Sequence, residues 1–204
     1  MISTPSINRT TLKILGLYRN DYSKSLHPRE IARTLKVSAN TSDLQLKRLE
    51  SMRVLVCARK GKNVNYSLNL RNLIAKYYMS LAETLTTITF LENYFLIKKI
   101  ILELEEHIEG TIILFGSFAK GQATESSDID LFILTDQELD TRAVKEEETL
   151  IGREINVKST TTRRFIEGLQ SGAPLMWEVV SDHIALKGID LFCDVLWRHY
   201  VQAR

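Results

Sequence analysis

Between Gly110 and Leu134 lies the segment that most constrains this chain: an apolar run, a glycine-serine break, and a second apolar run entered through two acids. Thr111-Ile112-Ile113-Leu114-Phe115 reads as a buried strand bounded by Gly110 and Gly116. Gly116 lets the backbone turn sharply after that strand and present N–H groups to an anion, and Ser117 adds a hydroxyl donor at the same point. Ser127–Leu134 reads as a second strand. Within it Asp128-Ile129-Asp130 alternates, so both carboxylates face one side, their backbones roughly 6.6–6.8 Å apart. Two carboxylates at that spacing can converge on a hard divalent cation such as Mg²⁺, which takes one or two carboxylates together with waters and phosphate oxygens. Lys120 is a candidate to neutralise phosphate, and an ordinary surface lysine is the equal alternative.

The rest of the C-terminal half alternates strand and helix signals. Glu138–Thr149 reads as a charged helix, Glu154–Lys158 as a short strand, and Thr160–Gly168, Leu175–Val180 and Leu191–Val201 as helical segments. Upstream, Leu70–Ile108 is helical throughout, without proline or glycine, and a break is expected near Thr84–Thr87, where β-branched residues lower helix propensity. Its many apolar residues serve either core packing or a homodimer.

Phe115-Gly116-Ser117-Phe118-Ala119-Lys120-Gly121 followed by Ser126-Ser127-Asp128-Ile129-Asp130-Leu131 resembles the signature of the polymerase-beta-like nucleotidyltransferase superfamily, specifically its minimal members. The resemblance covers about residues 110–160. It implies Asp128 and Asp130 as catalytic metal ligands for Mg²⁺, Gly116, Ser117 and Lys120 at the nucleotide phosphates, and an NTP, ATP first, as substrate or ligand. It also implies a third carboxylate on a neighbouring strand. Alternation in Gly152-Arg153-Glu154-Ile155-Asn156-Val157 puts Asn156 at that position, and an amide can neither act as a base nor match a carboxylate for Mg²⁺. Glu154, one pleat away on the same face, is the substitute, with an exposed strand-edge acid as the blander reading. Minimal family members are often paired with a helical protein that they modify, so the resemblance extends to a protein acceptor.

Charge divides the chain. Residues 1–75 hold 14 Lys and Arg against four acids, a net +10, and residues 76–204 hold 13 against 21, a net −8. The basic part has the order helix, helix, helix, hairpin. Ile7–Tyr18 carries a helical stripe ending near Asn20, Pro28 opens a second helix, and Asn40 or Thr41 caps a third that buries Leu44, Leu46, Leu49 and Met52. Val54–Ala58 and Val64–Leu68 then form strands about a basic turn. This resembles a winged helix-turn-helix regulator, although Met52-Arg53 stands where a glycine is usual. The resemblance implies double-stranded DNA as partner, with Thr41, Ser42, Gln45 and Arg48 at the major groove and Arg59, Lys60 and Lys62 on the wing. A winged helix used for protein contact is the competing reading.

The expectation is therefore an α+β protein of two domains: a winged helix over 1–72, linking helices over 73–109, and a nucleotidyltransferase-like α/β domain with a mixed sheet over 110–204. Its function is expected to be Mg²⁺-dependent transfer of a nucleoside monophosphate by a DNA-binding protein. The alternative is a transcriptional regulator that binds nucleotide without transferring it. The reading leans to an enzyme, and Asn156 is the point against. No apolar run approaches the ~20 residues of a membrane span, and the first residues lack the apolar core of a signal peptide, so a cytoplasmic protein is expected. Cys57 and Cys193 show neither ligand spacing nor reason to pair.

Overall fold

The computed structural model describes residues 7–61 and 63–203. The chain divides between Ala82 and Glu83 into two compact units, and each is described by itself. Among the described residues no helix is long and apolar enough to cross a membrane.

The first unit runs α1 (Arg9–Gly16), β1 (Ser25–Leu26), α2 (Pro28–Leu35), α3 (Ala39–Ser51), β2 (Leu55–Lys60) and β3 (Asn63–Leu68). The strands form an antiparallel sheet in the order β1-β3-β2. Each helix begins on a side-chain acceptor: Asn8 accepts from the Thr11 N–H, His27 from Arg29, and Ser38 from Thr41. Ser38 thus replaces Asn40 or Thr41 as the expected cap of α3. The helix starts earlier because the extended Ser38 places its hydroxyl 3.0 Å from the Thr41 nitrogen. Its buried stripe becomes Ser42, Gln45, Leu46 and Leu49, while Leu44 is 64% exposed. Arg53 takes the left-handed conformation (φ 57°) where a glycine is usual, and Asn69 and Asn72 both donate to its carbonyl at 2.9 and 2.8 Å.

The division falls inside α4 (Leu73–Asn93). This helix continues through the expected break at Thr84–Thr87 and ends beside Tyr94. Propensity is overridden there because Thr87 is buried and its hydroxyl donates to the Ala185 carbonyl at 2.9 Å. The second unit continues with α5 (Phe95–His107), β4 (Thr111–Phe115), α6 (Gly116–Ala119), β5 (Ile129–Leu134), α7 (Arg142–Ile151), β6 (Ile155–Thr160), α8 (Thr162–Ser171), α9 (Pro174–Ser181), β7 (Ile184–Lys187) and α10 (Ile189–Gln202).

Its four-stranded sheet has the order β6-β5-β4-β7, and it is mixed: β4 pairs antiparallel with β5 and β7, and β5 pairs parallel with β6. Alternation explains how both faces are covered. Ile112, Leu114, Ile129, Leu131, Ile133 and Ile155 join Ile97, Ile100, Ile101 and Leu104 of α5 and Val144 of α7 in one apolar cluster. On the opposite face Phe115 meets Phe132, Phe132 meets Phe165 of α8, and Phe165 meets Phe192 of α10, with ring centroids 6.3, 5.5 and 6.3 Å apart. The polar exceptions on this second face include Asp130 of β5 and Asn156 of β6, in register with Phe115 at the end of β4.

Candidate active site

Phe115, Asp130 and Asn156 form one row across three adjacent strands: Phe115 is the register partner of Asp130, and Asp130 of Asn156. Gly116 follows Phe115 with φ at 69° and begins α6. A Cβ at this position would run into the Asp130 carboxylate. Glycine is therefore needed twice, once for the backbone turn and once for the space that Asp130 fills. Ser117 follows, half-buried, in the first turn of α6.

The two acids are not equivalent. Asp130 is a strand residue, half-buried in the β4–β5–β6 ladder. Asp128 was expected in the same strand, but β5 begins at Ile129, so Asp128 is exposed and stands just before it. The ladder ends because the preceding chain is already committed to a tight turn: the Ser127 N–H donates to the Thr124 carbonyl at 3.2 Å, and the Thr124 N–H to the Ser127 hydroxyl at 2.8 Å. Glu154 likewise precedes its strand, since β6 begins at Ile155. Its carbonyl accepts from the Ile129 N–H at 3.0 Å, and its side chain is exposed. Lys120 is exposed at the C-terminal end of α6.

Burial pushes the Asp130 carboxyl above its ordinary range. A side-chain hydrogen bond from Asn156 and the positive charge of Lys158 pull it back, and the carboxylates of Asp128 and Glu178 push it up again. Three participants here escaped the sequence reading. Lys158 follows Asn156 by two residues on the same side of β6, its Nζ 5.8 Å from the Phe115 ring centroid, so strand alternation carried its signal. Glu178 comes from α9 and Arg153 from the α7–β6 connection, and nothing local in the sequence marks either.

The donor set fits a hard cation shared with a nucleotide. The charge of Asp128 acts on Asp130, a neighbouring amide donates to Asp130, and a positive ion would relieve the cost of burying it. Among the described residues no group of three or more His, Cys, Asp or Glu gathers as a closed metal cage. Asp128 and Asp130 alone leave most of an octahedral shell to water and phosphate oxygens, as Mg²⁺ requires.

Residues 96–179 match the family model of the nucleotidyltransferase domain. The matched segment contains Gly116, Ser117, Asp128, Asp130, Asn156 and Lys158, and it leaves residues 1–95 and 180–204 outside. Among solved structures, a crystal structure of a toxin–antitoxin with AMP-PNP is 23% identical, covers 52% of this chain and 86% of its own, and has a TM-score of 0.35. No curated protein matches the chain.

Outside the matched segment, the residues expected at DNA are distributed differently from the expectation. Ser42 is buried, and Gln45 is 7% exposed, so neither reaches a groove. Gln45 turns inward because its amide oxygen accepts from the Thr11 hydroxyl at 2.8 Å and from the Asn8 amide at 3.2 Å. Thr41 is exposed, Arg48 half-buried, and Arg59 and Lys60 exposed at the end of β2. Lys62 lies outside the described residues. The outward side of α3 presents Asn40, Thr41, Leu44 and Lys47 instead, with Lys47 paired to Asp43, one turn before it, at 2.7 Å.

Proposed function

We propose that the nucleotidyltransferase domain transfers a nucleoside monophosphate from an NTP, ATP first, to an acceptor, with Mg²⁺ held by Asp128 and Asp130. The observation that carries this reading is the fit of Gly116 to Asp130: a glycine with no room for a side chain, closed by a carboxylate that burial makes costly to ionise. Bound there, the metal would polarise the nucleotide phosphates and offset the charge that develops on them. The chain's own residues do the rest. Gly116 and Ser117 receive the phosphates, Lys158 adds positive charge beside Asp130, and Asn156 donates to Asp130 and holds its orientation. In the reaction an acceptor nucleophile forms a bond to the α-phosphorus, the bond from that phosphorus to the β-phosphate bridging oxygen breaks, and pyrophosphate leaves. Asn156 cannot take the acceptor's proton, so the proton passes to solvent, and the contribution of a general base, about 10²–10⁴-fold, is forgone.

Asn156 also favours a second reading, in which the domain binds nucleotide and does not transfer it. Incubation with ATP labelled at the α-phosphate and Mg²⁺, alone and with cell lysate, separates the two. Label on an acceptor, a protein in the lysate included, supports transfer; saturable binding without label supports the sensor; neither result sinks both.

For the first unit we propose a winged helix that binds double-stranded DNA. Support comes from the three helices followed by the β2–β3 hairpin, the net +10 over residues 1–75, and the exposed Asn40, Thr41, Leu44 and Lys47 on α3. Leu44 suits a thymine methyl and Lys47 a phosphate or guanine edge. Duplex DNA should bind with a steep salt dependence, and removing Lys47, Arg59 and Lys60 together should flatten that slope by about three counterions' worth. An unchanged slope would overturn the assignment.

A further inference from the structure

Asp128 has no ladder to hold it, yet the proposed chemistry needs it fixed against Asp130. The contacts that meet this need converge on Arg153. Its Nη1 donates to the Ser127 carbonyl at 2.6 Å and to the Thr124 carbonyl at 3.2 Å, and its Nη2 donates to the Glu125 carbonyl at 2.7 Å. The guanidinium carbon also lies 5.5 Å from the centroid of the Phe118 ring, which belongs to α6. One side chain therefore touches the turn that delivers Asp128 and the short helix that begins with Gly116 and Ser117. Its own backbone leads directly into β6, where Asn156 donates to Asp130.

We infer that Arg153 is a positioning residue: its guanidinium fixes the Thr124–Ser127 turn and thereby sets where Asp128 stands relative to Asp130. The inference rests on the nucleotidyl-transfer reading above. The geometry asks for arginine specifically. Three carbonyls arranged around a ring face need a planar fork with several fixed donors, and a lysine offers a compact point charge in its place. Gly152 aims the fork: it ends α7 in the left-handed conformation, φ 62°, so the chain reverses just before Arg153. The Arg153 N–H then bonds back to the Glu148 carbonyl at 3.3 Å, and Ile155 donates to the Glu148 carboxylate at 2.9 Å. The root of the side chain is thus fixed before its head group acts.

The test uses the full chain and two readouts. Mn²⁺ is titrated by electron paramagnetic resonance in the presence of α,β-methylene-ATP, and transfer of α-labelled ATP is followed in parallel. Arg153→Lys should raise the Mn²⁺ concentration at half-saturation about 10-fold or more, the usual effect of removing an outer-shell support. The same variant should lower kcat and leave the nucleotide KM within about 3-fold. In an Asp128→Asn background the further change to Arg153→Lys should add less than about 2-fold, because both substitutions act on the same ligand. Thermal melts define the folded range, and Arg153→Gln, which keeps amide donors and drops the charge, gives an independent reading if the lysine variant melts early. Wild-type Mn²⁺ affinity in both variants, or full additivity with Asp128→Asn, overturns the role of Arg153 and leaves the transfer reading intact. Failure of the wild type to bind Mn²⁺ any better than Asp130→Asn overturns the transfer reading and this inference together.

Discussion

Asp130 and Asp128 lie two residues apart and are held by opposite means. Asp130 sits between Phe115 and Asn156 in a sheet, is half-buried, and fills the space that Gly116 leaves open. Asp128 is exposed, precedes the strand, and takes its position from a turn whose carbonyls are gathered by a side chain 26 to 29 residues away. The ladder fixes Asp130 to the accuracy of the sheet, at the cost of desolvation. The turn spares Asp128 that cost and makes its position depend on one clamp. In the proposed reaction, a divalent ion arriving with its nucleotide and leaving with pyrophosphate would be suited by one rigid ligand and one adjustable ligand.

The largest effect expected from this asymmetry is the loss of Asp130. Asp130→Ala should lower transfer of α-labelled nucleotide at least ~10³-fold, about 4 kcal/mol of barrier, while Asp128→Ala should cost about one decade less because water can replace an exposed ligand. Equal losses would erase the distinction between the strand-held and turn-held acids. Next in size is Asn156→Asp, which places a third carboxylate beside Asp130 in the parallel register. A restored base should raise transfer about 10²-fold, within the range that general base catalysis supplies. An unchanged rate, measured in single turnover, would mean that the Asn156 position takes no proton and that the domain works, or fails to work, for another reason.

How much of this was legible in the sequence follows from how local each determinant is. The β4 run, the glycine after it and the run entered at Ile129-Asp130 are all contained within residues 110–134, so strand periodicity found them, although it carried the strand back over Asp128, and it also paired Asn156 with the face of Asp130. What it missed depends on distant contacts. Thr84–Thr87 read as a helix break, yet Thr87 bonds to a carbonyl 98 residues away and α4 runs on. Ser42 and Gln45 read as groove contacts, yet the cap at Ser38 sets the phase of α3 and Asn8 and Thr11 draw Gln45 inward. Strand β7 is four residues long at a sheet edge, and its alternation is too short to register. Arg153 received no role from the sequence because its three acceptors are backbone carbonyls, which no side-chain pattern can announce.

Smaller effects probe the Asp130 side of the comparison through stability. Gly116→Ala should cost about 1–2 kcal/mol from the left-handed backbone alone, and more from the collision with Asp130. In denaturant melts, pairing it with Asp130→Ala should recover the second part and leave the first. Full additivity of the two would show that the glycine and the carboxylate do not share that space.

The smallest expected effect has a sign that only the buried acid can give. Asp130 has a folded-state pKa above its unfolded value, so the folded protein holds that proton more tightly than the unfolded chain does. Below the ordinary carboxylate range both states are protonated and the group contributes nothing. As pH rises from there through the raised folded value, the unfolded chain ionises first and stability falls; above it the whole penalty is present. Asp130→Asn should therefore raise the thermal midpoint of the nucleotide-free protein at neutral pH, and the gain should vanish as pH drops below about 4, the unperturbed carboxylate range. A thermal midpoint that Asp130→Asn leaves unchanged at neutral pH would mean that holding this carboxylate in the ladder carries no desolvation penalty, and the contrast between ladder and turn would then have no energetic content.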